Sequence, residues 1–278
     1  MAQVDPQGTV VLNADDPHVA ALARQTDRKI LFFGTSAQAQ VRADRIGEAP
    51  EGVAFDLLLP GEKARVALKT PGRFMVVNAL AAAAAGHLAG LAAAEIKAGL
   101  EAFTPAKGRL HVVTTVRGVR IIDDTYNANP ASMAAAIETL AALAKDRPGI
   151  IILGDMLELG AHAERLHREV GAKAGSSGAE RLYVYGPHGA IVRQGAMAAG
   201  MGMERIFVGT KEEIATDVIR HLAADHWVLV KGSRGMAMET VVAAIRQWGD
   251  VSSSEVGNVV ESPRTVTPAK AGVQNRLK

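Results

Sequence analysis

Hydrophobic positions in the first third of the chain fall into short apolar runs separated by polar loops. Residues 9–12 and 29–34 are rich in β-branched and aromatic side chains, which predicts two buried strands. Weak alternation with glycine and proline breaks over residues 41–68 predicts a β-meander. Two helices are expected to follow, over residues 74–91 and 93–101.

From residue 107 the pattern changes to short apolar strands that alternate with amphipathic helices. This alternation predicts an α/β unit built on a doubly wound, mostly parallel sheet. The expected strands are 120–123, 149–153, 181–185, 205–208 and 227–230, and the expected helices are 130–143, 162–174, 189–199, 211–222 and 237–248. We therefore predict one unit over 1–106, a second over 107–249, and a disordered tail over 250–278, where no periodicity is found.

Composition narrows the class of protein. Hydrophobic residues make up 48% of the chain but aromatic residues only 4%, so small aliphatic side chains must fill the core. The net charge of +2 and the lack of a long basic run give no reason to expect nucleic-acid binding. Cysteine is absent, which excludes disulfides and cysteine nucleophiles. The start resembles no signal peptide, and the longest apolar stretch, 76–91, is interrupted, so we expect no membrane segment and a cytoplasmic location.

The densest polar segment covers residues 123–132, where a predicted strand meets a predicted helix. It reads Asp-Asp-Thr-Tyr-Asn-Ala-Asn-Pro-Ala-Ser. The carboxyl edge of an open parallel sheet is where ligands bind, so the segment indicates a ligand site. The alternative is helix capping, which accounts for Asn129 before Pro130 but not for the other polar residues.

Two further segments follow strands expected in the same sheet. Residues 154–160 place Asp155 and Glu158 after a strand, as a ligand crevice would, although acidic residues also suit an ordinary helix start. In residues 231–235, Lys231 and Arg234 at a helix start indicate an anion site, or alternatively a solvated basic loop. The histidines show no ligand spacing on a shared helix face, so no metal site is predicted.

Taken in order, these three segments resemble the Mur ligases. The resemblance spans about residues 9–247, and within the family the segments are most similar to members that use D-alanyl-D-alanine. It implies part of a central ATPase domain, incomplete here, followed by a Rossmann-like C-terminal domain. It also implies an amide ligase that uses ATP and Mg²⁺ to join D-alanyl-D-alanine to UDP-N-acetylmuramoyl-tripeptide through an acyl phosphate, most simply as a monomer.

Other readings stay open. One alternative is another Mur ligase or a folylpolyglutamate synthase-like ligase, although those proteins carry different residues in the first two segments. It is also consistent with a non-catalytic Rossmann-like binding module or the remnant of a decayed gene. An oxidoreductase is disfavoured because no Gly-x-Gly-x-x-Gly follows a strand.

The resemblance implies roles for individual residues. Arg109 is expected near the phosphates of ATP, Asp124 near the ribose and Asn78 near the adenine. The full ATP-facing set is Asn78, Arg109, Asp124, Tyr126 and Asn127. The set expected to bind the peptide substrates is Asp155, Glu158, Lys231, Ser233 and Arg234.

Two departures from the family pattern matter. Phe74 and Met75 stand where the family usually has His-Asn, which affects the expected nucleotide contact of that turn. No Gly-x-x-x-x-Gly-Lys-[Ser/Thr] occurs in the 278 residues, and that loop holds the β- and γ-phosphates. The expectation from sequence is an N-terminally truncated ligase that is inactive alone.

Overall fold

A computed structural model of the protein describes residues 4–49, 52–145, 147 and 149–251. Its first sheet has five strands in the order β1-β2-β3-β4-β5. The strands are β1 (Thr9–Asn13), β2 (Lys29–Gly34), β3 (Val41–Ala49), β4 (Gly52–Leu59) and β5 (Glu62–Leu68). The first three run parallel, and β3, β4 and β5 form the predicted antiparallel meander.

Three helices accompany this sheet: α1 (Pro17–Ala21), α2 (Phe74–Leu88) and α3 (Ala93–Ala102). Helix α2 packs against the sheet, where Leu80, Phe55 and Leu57 form a fully buried core. It ends three residues earlier than predicted, because Gly90 takes a left-handed φ of 84°. The Leu91 N–H then donates to the Gly86 carbonyl, the pairing of a Schellman helix end.

The second sheet has six strands in the order β10-β9-β8-β11-β7-β6, all parallel except β6. The strands are β6 (His111–Thr114), β7 (Arg120–Asp124), β8 (Gly149–Gly154), β9 (Arg181–Tyr185), β10 (Ile206–Val208) and β11 (Trp227–Lys231). Strand β6 was not expected from the sequence. It is four residues long with half-buried and exposed positions, so it carries no clear apolar run.

Helices cover both faces of the second sheet, which confirms the doubly wound prediction. They are α4 (Pro130–Ala144), α5 (Ala163–Gly175), α6 (Gly189–Ala198), α7 (Lys211–His221) and α8 (Glu239–Asp250). One core contains residues of α4, α5 and α6, and the other contains residues of α7 and α8. Adjacent residues of β7 serve the two cores: Ile122 faces the first and Ile121 the second, both fully buried.

Two sequence expectations are corrected near the end of the chain. Helix α8 begins at Glu239 rather than residue 237, because Ala237 has a left-handed backbone with φ 48°. The helix runs to Asp250, so the first residue of the predicted tail is helical. Residues 252–278 of that tail lie outside the described residues. The predicted domain boundary near residue 107 falls between α3 and β6 and stays a prediction.

Within the part of the chain that the structure describes, no helix is long and apolar enough to cross a membrane.

Candidate functional site

The three polar loops singled out in the sequence follow the neighbouring strands β7, β11 and β8, and they meet at one edge of the second sheet. Ser233 links all three. Its hydroxyl accepts the Leu157 N–H at 2.9 Å and lies 3.3 Å from the Ala128 carbonyl, to which it can donate. Its own N–H donates to the Asp155 carbonyl at 3.1 Å. The loops therefore form a single hydrogen-bonded unit.

Close approach of two strand ends requires glycine at this edge. A Cβ on Gly232 would lie 2.7 Å from the Met238 side chain and 3.1 Å from the Gly154 Cα. The absence of side chains on Gly154 and Gly232 lets the β8 and β11 ends pack backbone against backbone.

A buried ion pair joins the first and third loops. Lys231 is 2% exposed, and its Nζ lies 2.6 Å from Asp124 Oδ2 and 2.8 Å from the Asn127 carbonyl. The other Asp124 oxygen accepts the Leu110 N–H at 3.1 Å. Lys231 is thus engaged by groups of the protein itself, and Asp124 is held in one orientation at the mouth of the site.

Arg109 and Tyr126 form a second fixed pair. The Arg109 guanidinium lies 3.9 Å from the centre of the Tyr126 ring, within the range of a cation–π contact. The preceding residue, Gly108, has a φ of 77°, and its carbonyl accepts the Tyr126 N–H at 2.9 Å. A Cβ there would come within 3.2 Å of that nitrogen, so the turn that presents Arg109 depends on glycine.

An open cavity of about 580 Å³ lies between α2, the connection after α3 and the β7–α4 loop. The five residues predicted to face ATP all line it: Asn78, Arg109, Asp124, Tyr126 and Asn127. Phe74 and Met75, which replace the usual His-Asn of the family, also line it, as does Phe103, which the sequence reasoning did not single out. The cavity is therefore lined by both polar and apolar groups.

Two histidines contact the loop that follows β8 (residues 154–160). Asp155 is 2% exposed, and its Oδ2 lies 2.6 Å from His188 Nδ1 and 3.2 Å from the His188 backbone nitrogen. His167 Nε2 accepts the Met156 N–H at 3.0 Å. Burial lowers the pKa of His167, as does the nearby His188, and these effects outweigh the opposing influence of the Ala163 carbonyl and Asp155.

His188 was missed in the sequence because it lies outside the three motif segments, in the loop after β9. No local pattern marks it; only the topology, which places the end of β9 beside that of β8, brings it to Asp155.

Two of the residues predicted to bind the peptide substrates are accessible, and three are not. Asp155, Lys231 and Ser233 are buried. Glu158 is exposed and has a left-handed φ of 64°, an uncommon conformation for a residue with a side chain. The Arg234 side chain is 68% exposed and lies 3.1 Å from Glu239. The loops thus present Glu158 and Arg234 on a framework built by the buried residues.

Comparison with known protein families matches two stretches of the chain. Residues 1–86 match the family described as the Mur ligase middle domain. Residues 108–234 match the family described as Mur ligase, glutamate ligase domain. The chain is 35% identical over 226 residues to UDP-N-acetylmuramoyl-tripeptide–D-alanyl-D-alanine ligase of Escherichia coli K12, covering 80% of this chain and 48% of that protein.

Solved structures share the fold. The crystal structure of MurF from Acinetobacter baumannii superposes with a TM-score of 0.79 at 28% identity, covering 88% of this chain and 53% of that one. MurF from Thermotoga maritima, solved in complex with ADP, has a TM-score of 0.73 at 22% identity, which supports the fold alone. The chain spans about half the length of the relatives it matches.

Proposed function

This chain belongs to the Mur ligase family, and from that premise we propose that it is part of a MurF-type ligase acting in the cytoplasm in peptidoglycan precursor synthesis. The proposed reaction joins D-alanyl-D-alanine to UDP-N-acetylmuramoyl-tripeptide at the expense of ATP. The observation that carries the proposal is the cavity, which gathers residues of both matched regions around one space.

The proposed reaction needs binding and charge stabilisation rather than a protein nucleophile. The γ-phosphate of ATP passes to the tripeptide carboxylate, which gives an acyl phosphate and ADP. The free amine of D-alanyl-D-alanine then attacks the carbonyl carbon, and inorganic phosphate leaves as the amide forms. Donors held in place before the reaction can stabilise the negative charge that develops.

The cavity supports a nucleotide-binding role. The Asp124 carboxylate, fixed by Lys231 and the Leu110 N–H, can accept hydrogen bonds from a ribose hydroxyl. Arg109 is oriented by its contact with Tyr126 and can pair with a phosphate oxygen. Asn78 on α2 lies on the opposite side with Phe74 and Met75, where a flat base meets both an amide and apolar groups.

The residues that line the cavity do not form a magnesium site. Mg²⁺ favours octahedral oxygen ligands, usually carboxylates, phosphates and water. Among the described residues that line the cavity, Asp124 is the one carboxylate, and the positive charge of Lys231, 2.6 Å from it, disfavours a second cation there. The residues present do not fit a magnesium site, so we assign none to them.

On the peptide side we propose contact roles for the two exposed residues. Arg234 contacts Glu239 through one guanidinium nitrogen, and its other N–H groups can pair with the terminal carboxylate of D-alanyl-D-alanine. Glu158 is an exposed anion for the amine of the dipeptide. Asp155, Lys231 and Ser233 support these loops through their mutual hydrogen bonds instead of touching the dipeptide.

The dipeptide role is tested by titrating D-alanyl-D-alanine into isotope-labelled protein and following the backbone amide signals. We expect shifts confined to the loops after β8 and β11, which disappear in Arg234→Ala. Arg246→Ala on α8 is the matched control, and L-alanyl-L-alanine tests stereochemistry. No shifts at millimolar dipeptide would contradict the role of these loops.

Turnover is tested separately by ADP release with MgATP, UDP-N-acetylmuramoyl-tripeptide and D-alanyl-D-alanine. The 278-residue chain alone is expected to show none above background, because its sequence contains no Gly-x-x-x-x-Gly-Lys-[Ser/Thr]. Turnover of roughly 1–1000 per second would contradict this. Joining the chain behind the N-terminal half of the Escherichia coli relative separates a ligase from a non-catalytic binding module, since only a ligase half restores turnover.

A further inference from the structure

Three side chains from three different elements converge beneath the second loop. They are Asp155 after β8, His167 on α5 and His188 before α6, and one ligand atom of each lies within 4.8 Å of the others. We propose that they form a binding site for a divalent transition-metal ion such as Zn²⁺, Co²⁺ or Ni²⁺. No sequence pattern marks this site, because no two of the three residues share a ligand spacing on one helix.

The donor set selects the class of metal. Two imidazoles and one carboxylate suit zinc, cobalt, nickel and copper, whereas magnesium and calcium favour oxygen ligands. The site is therefore distinct from any magnesium bound with ATP, and it rests on this cluster alone rather than on the proposed ligase reaction.

The surroundings of His167 support a ligand role. Its Nδ1 lies 2.7 Å from the Ala163 carbonyl, a contact that requires this nitrogen to donate its proton. Nε2 is then the nitrogen with the free electron pair, and it lies 3.9 Å from Asp155 Oδ1. Metal-binding histidines are commonly held this way, with the second nitrogen bonded to a backbone carbonyl.

His188 supplies the movable ligand. Its ring stacks on that of His167 with centroids 4.2 Å apart and planes inclined by 9°, so in this arrangement the electron pairs of the two rings do not meet at one point. The His188 side chain is 30% exposed, whereas those of His167 and Asp155 are each 2% exposed. A movement of the His188 ring away from its 2.6 Å contact with Asp155, so that Nδ1 faces the space between Asp155 and His167 Nε2, completes the site. The exposed side of the ring admits the ion and water ligands.

Binding exchanges existing hydrogen bonds for metal–ligand bonds. The ion replaces the hydrogen bond between His188 Nδ1 and Asp155 Oδ2, now 2.6 Å apart, and the ring draws back to make room. The proton that Nδ1 gives up to water is matched by one taken up at Nε2, so the ring stays neutral. It also displaces the Met156 N–H from His167 Nε2. Because these bonds are lost, we expect micromolar rather than nanomolar affinity, and binding that weakens as acid protonates the ligands.

The test is titration of the full chain, free of any histidine tag, with Co²⁺ followed by its visible absorption and with Zn²⁺ followed by calorimetry. We expect one saturable site per chain. Affinity should fall at least tenfold in His188→Ala and in His167→Gln, the latter chosen because glutamine can still accept the Met156 N–H. His162→Ala, an exposed histidine at the start of α5, should leave it unchanged.

A bound ion also stabilises the fold that holds it, so saturating Zn²⁺ should raise the thermal midpoint of the parent chain and of His162→Ala but not of His188→Ala. The proposal is overturned if no saturable site is found up to millimolar metal. It is equally overturned if His188→Ala, shown to be folded by circular dichroism, binds Co²⁺ as tightly as the parent.

Discussion

The two sheets of this protein differ in how many of their faces are covered by helices. In the second sheet, successive residues of a strand such as Ile121 and Ile122 enter separate cores, because helices cover both faces. The first sheet has one described core, formed with α2 and α3, and its strand β5 alternates between buried and exposed positions. Strand β1 lies at the edge and pairs only with β2 among the described strands. The second sheet therefore has both faces covered by helices of its own unit, whereas the first has one described core.

The ion pairs of the two sheets also differ in how exposed they are to solvent. In the first sheet, the Asp56 side chain is 11% exposed and pairs with Arg45 and Arg65, whose side chains are 77% and 52% exposed. In the second, the Lys231–Asp124 pair is nearly closed off from solvent, with side chains 2% and 14% exposed. The two carboxylates are similarly buried, so the pairs differ in their cations: water screens the exposed arginines but not Lys231. Removing one partner should therefore destabilise the fold more at the Lys231–Asp124 pair.

The largest expected difference is between the two units made as separate fragments. Residues 108–251 should be monodisperse and unfold cooperatively, because both faces of their sheet are covered. Residues 1–106 should be poorly soluble, because among their described residues β1 has a strand partner on one side only and a single core covers the sheet. Size-exclusion chromatography and urea unfolding check this, and a monodisperse, cooperative 1–106 fragment would contradict it.

The next effect concerns the buried ion pair. Asp124→Ala leaves Lys231 buried without its carboxylate and should lower the free energy of unfolding by about 3–5 kcal/mol. Adding Lys231→Met should recover more than half of the loss, because the uncompensated charge is then gone. Urea unfolding at a constant m-value measures both. Equal losses in the single and double variants would show that the charge is not what matters.

A smaller effect is expected at the start of α4. Asn129 Oδ1 accepts the Ser132 N–H at 2.8 Å, and Pro130 occupies the first helical position. Asn129→Ala should lower the free energy of unfolding by about 1 kcal/mol through loss of this cap. Asn127→Ala, an exposed asparagine two residues away, is the control and should cost less than about 0.5 kcal/mol. Similar losses at both positions would argue against capping.

The smallest effect is a pH dependence in the first sheet. The hydrogen bond from Arg45 holds the pKa of Asp56 below its usual 3.8, with Arg65 acting in the same direction. Because the folded pKa is the lower one, this stabilisation is present above the unfolded pKa and is lost as the pH falls through the folded value. Unfolding free energies measured below pH 4 should therefore fall less steeply in Asp56→Asn than in the parent. Identical slopes would contradict the assignment.

The sequence predicted the elements that carry a clear hydrophobic pattern, but not the exact end of a helix or a strand without an apolar run. Strand β9, at residues 181–185, was predicted with its observed bounds because five residues of β-forming character lie between clear breaks. The end of α2 was misplaced because Ala89 continues the apolar pattern and only the backbone of Gly90 reveals the stop. Strand β6 had no apolar run to mark it.

The same holds for the candidate site. Parallel strands bring their carboxyl ends to one edge, so the meeting of the three loops followed from the order of elements. The burial of Lys231 did not, because its partner Asp124 is 107 positions away in the chain. Nor did the Asp155–His188 contact, since His188 belongs to none of the three segments.

The central claim is that the cavity between α2 and the β7–α4 loop binds the nucleotide. Titrating ADP into isotope-labelled full chain tests it most directly. We predict saturable shifts at Asn78, Arg109 and Tyr126, with affinity at least tenfold weaker in Tyr126→Ala and unchanged in Arg234→Ala. AMP should bind within a few-fold of ADP, because the predicted contacts centre on the adenosine. Shifts elsewhere, or none at millimolar ADP, would contradict the assignment of this cavity.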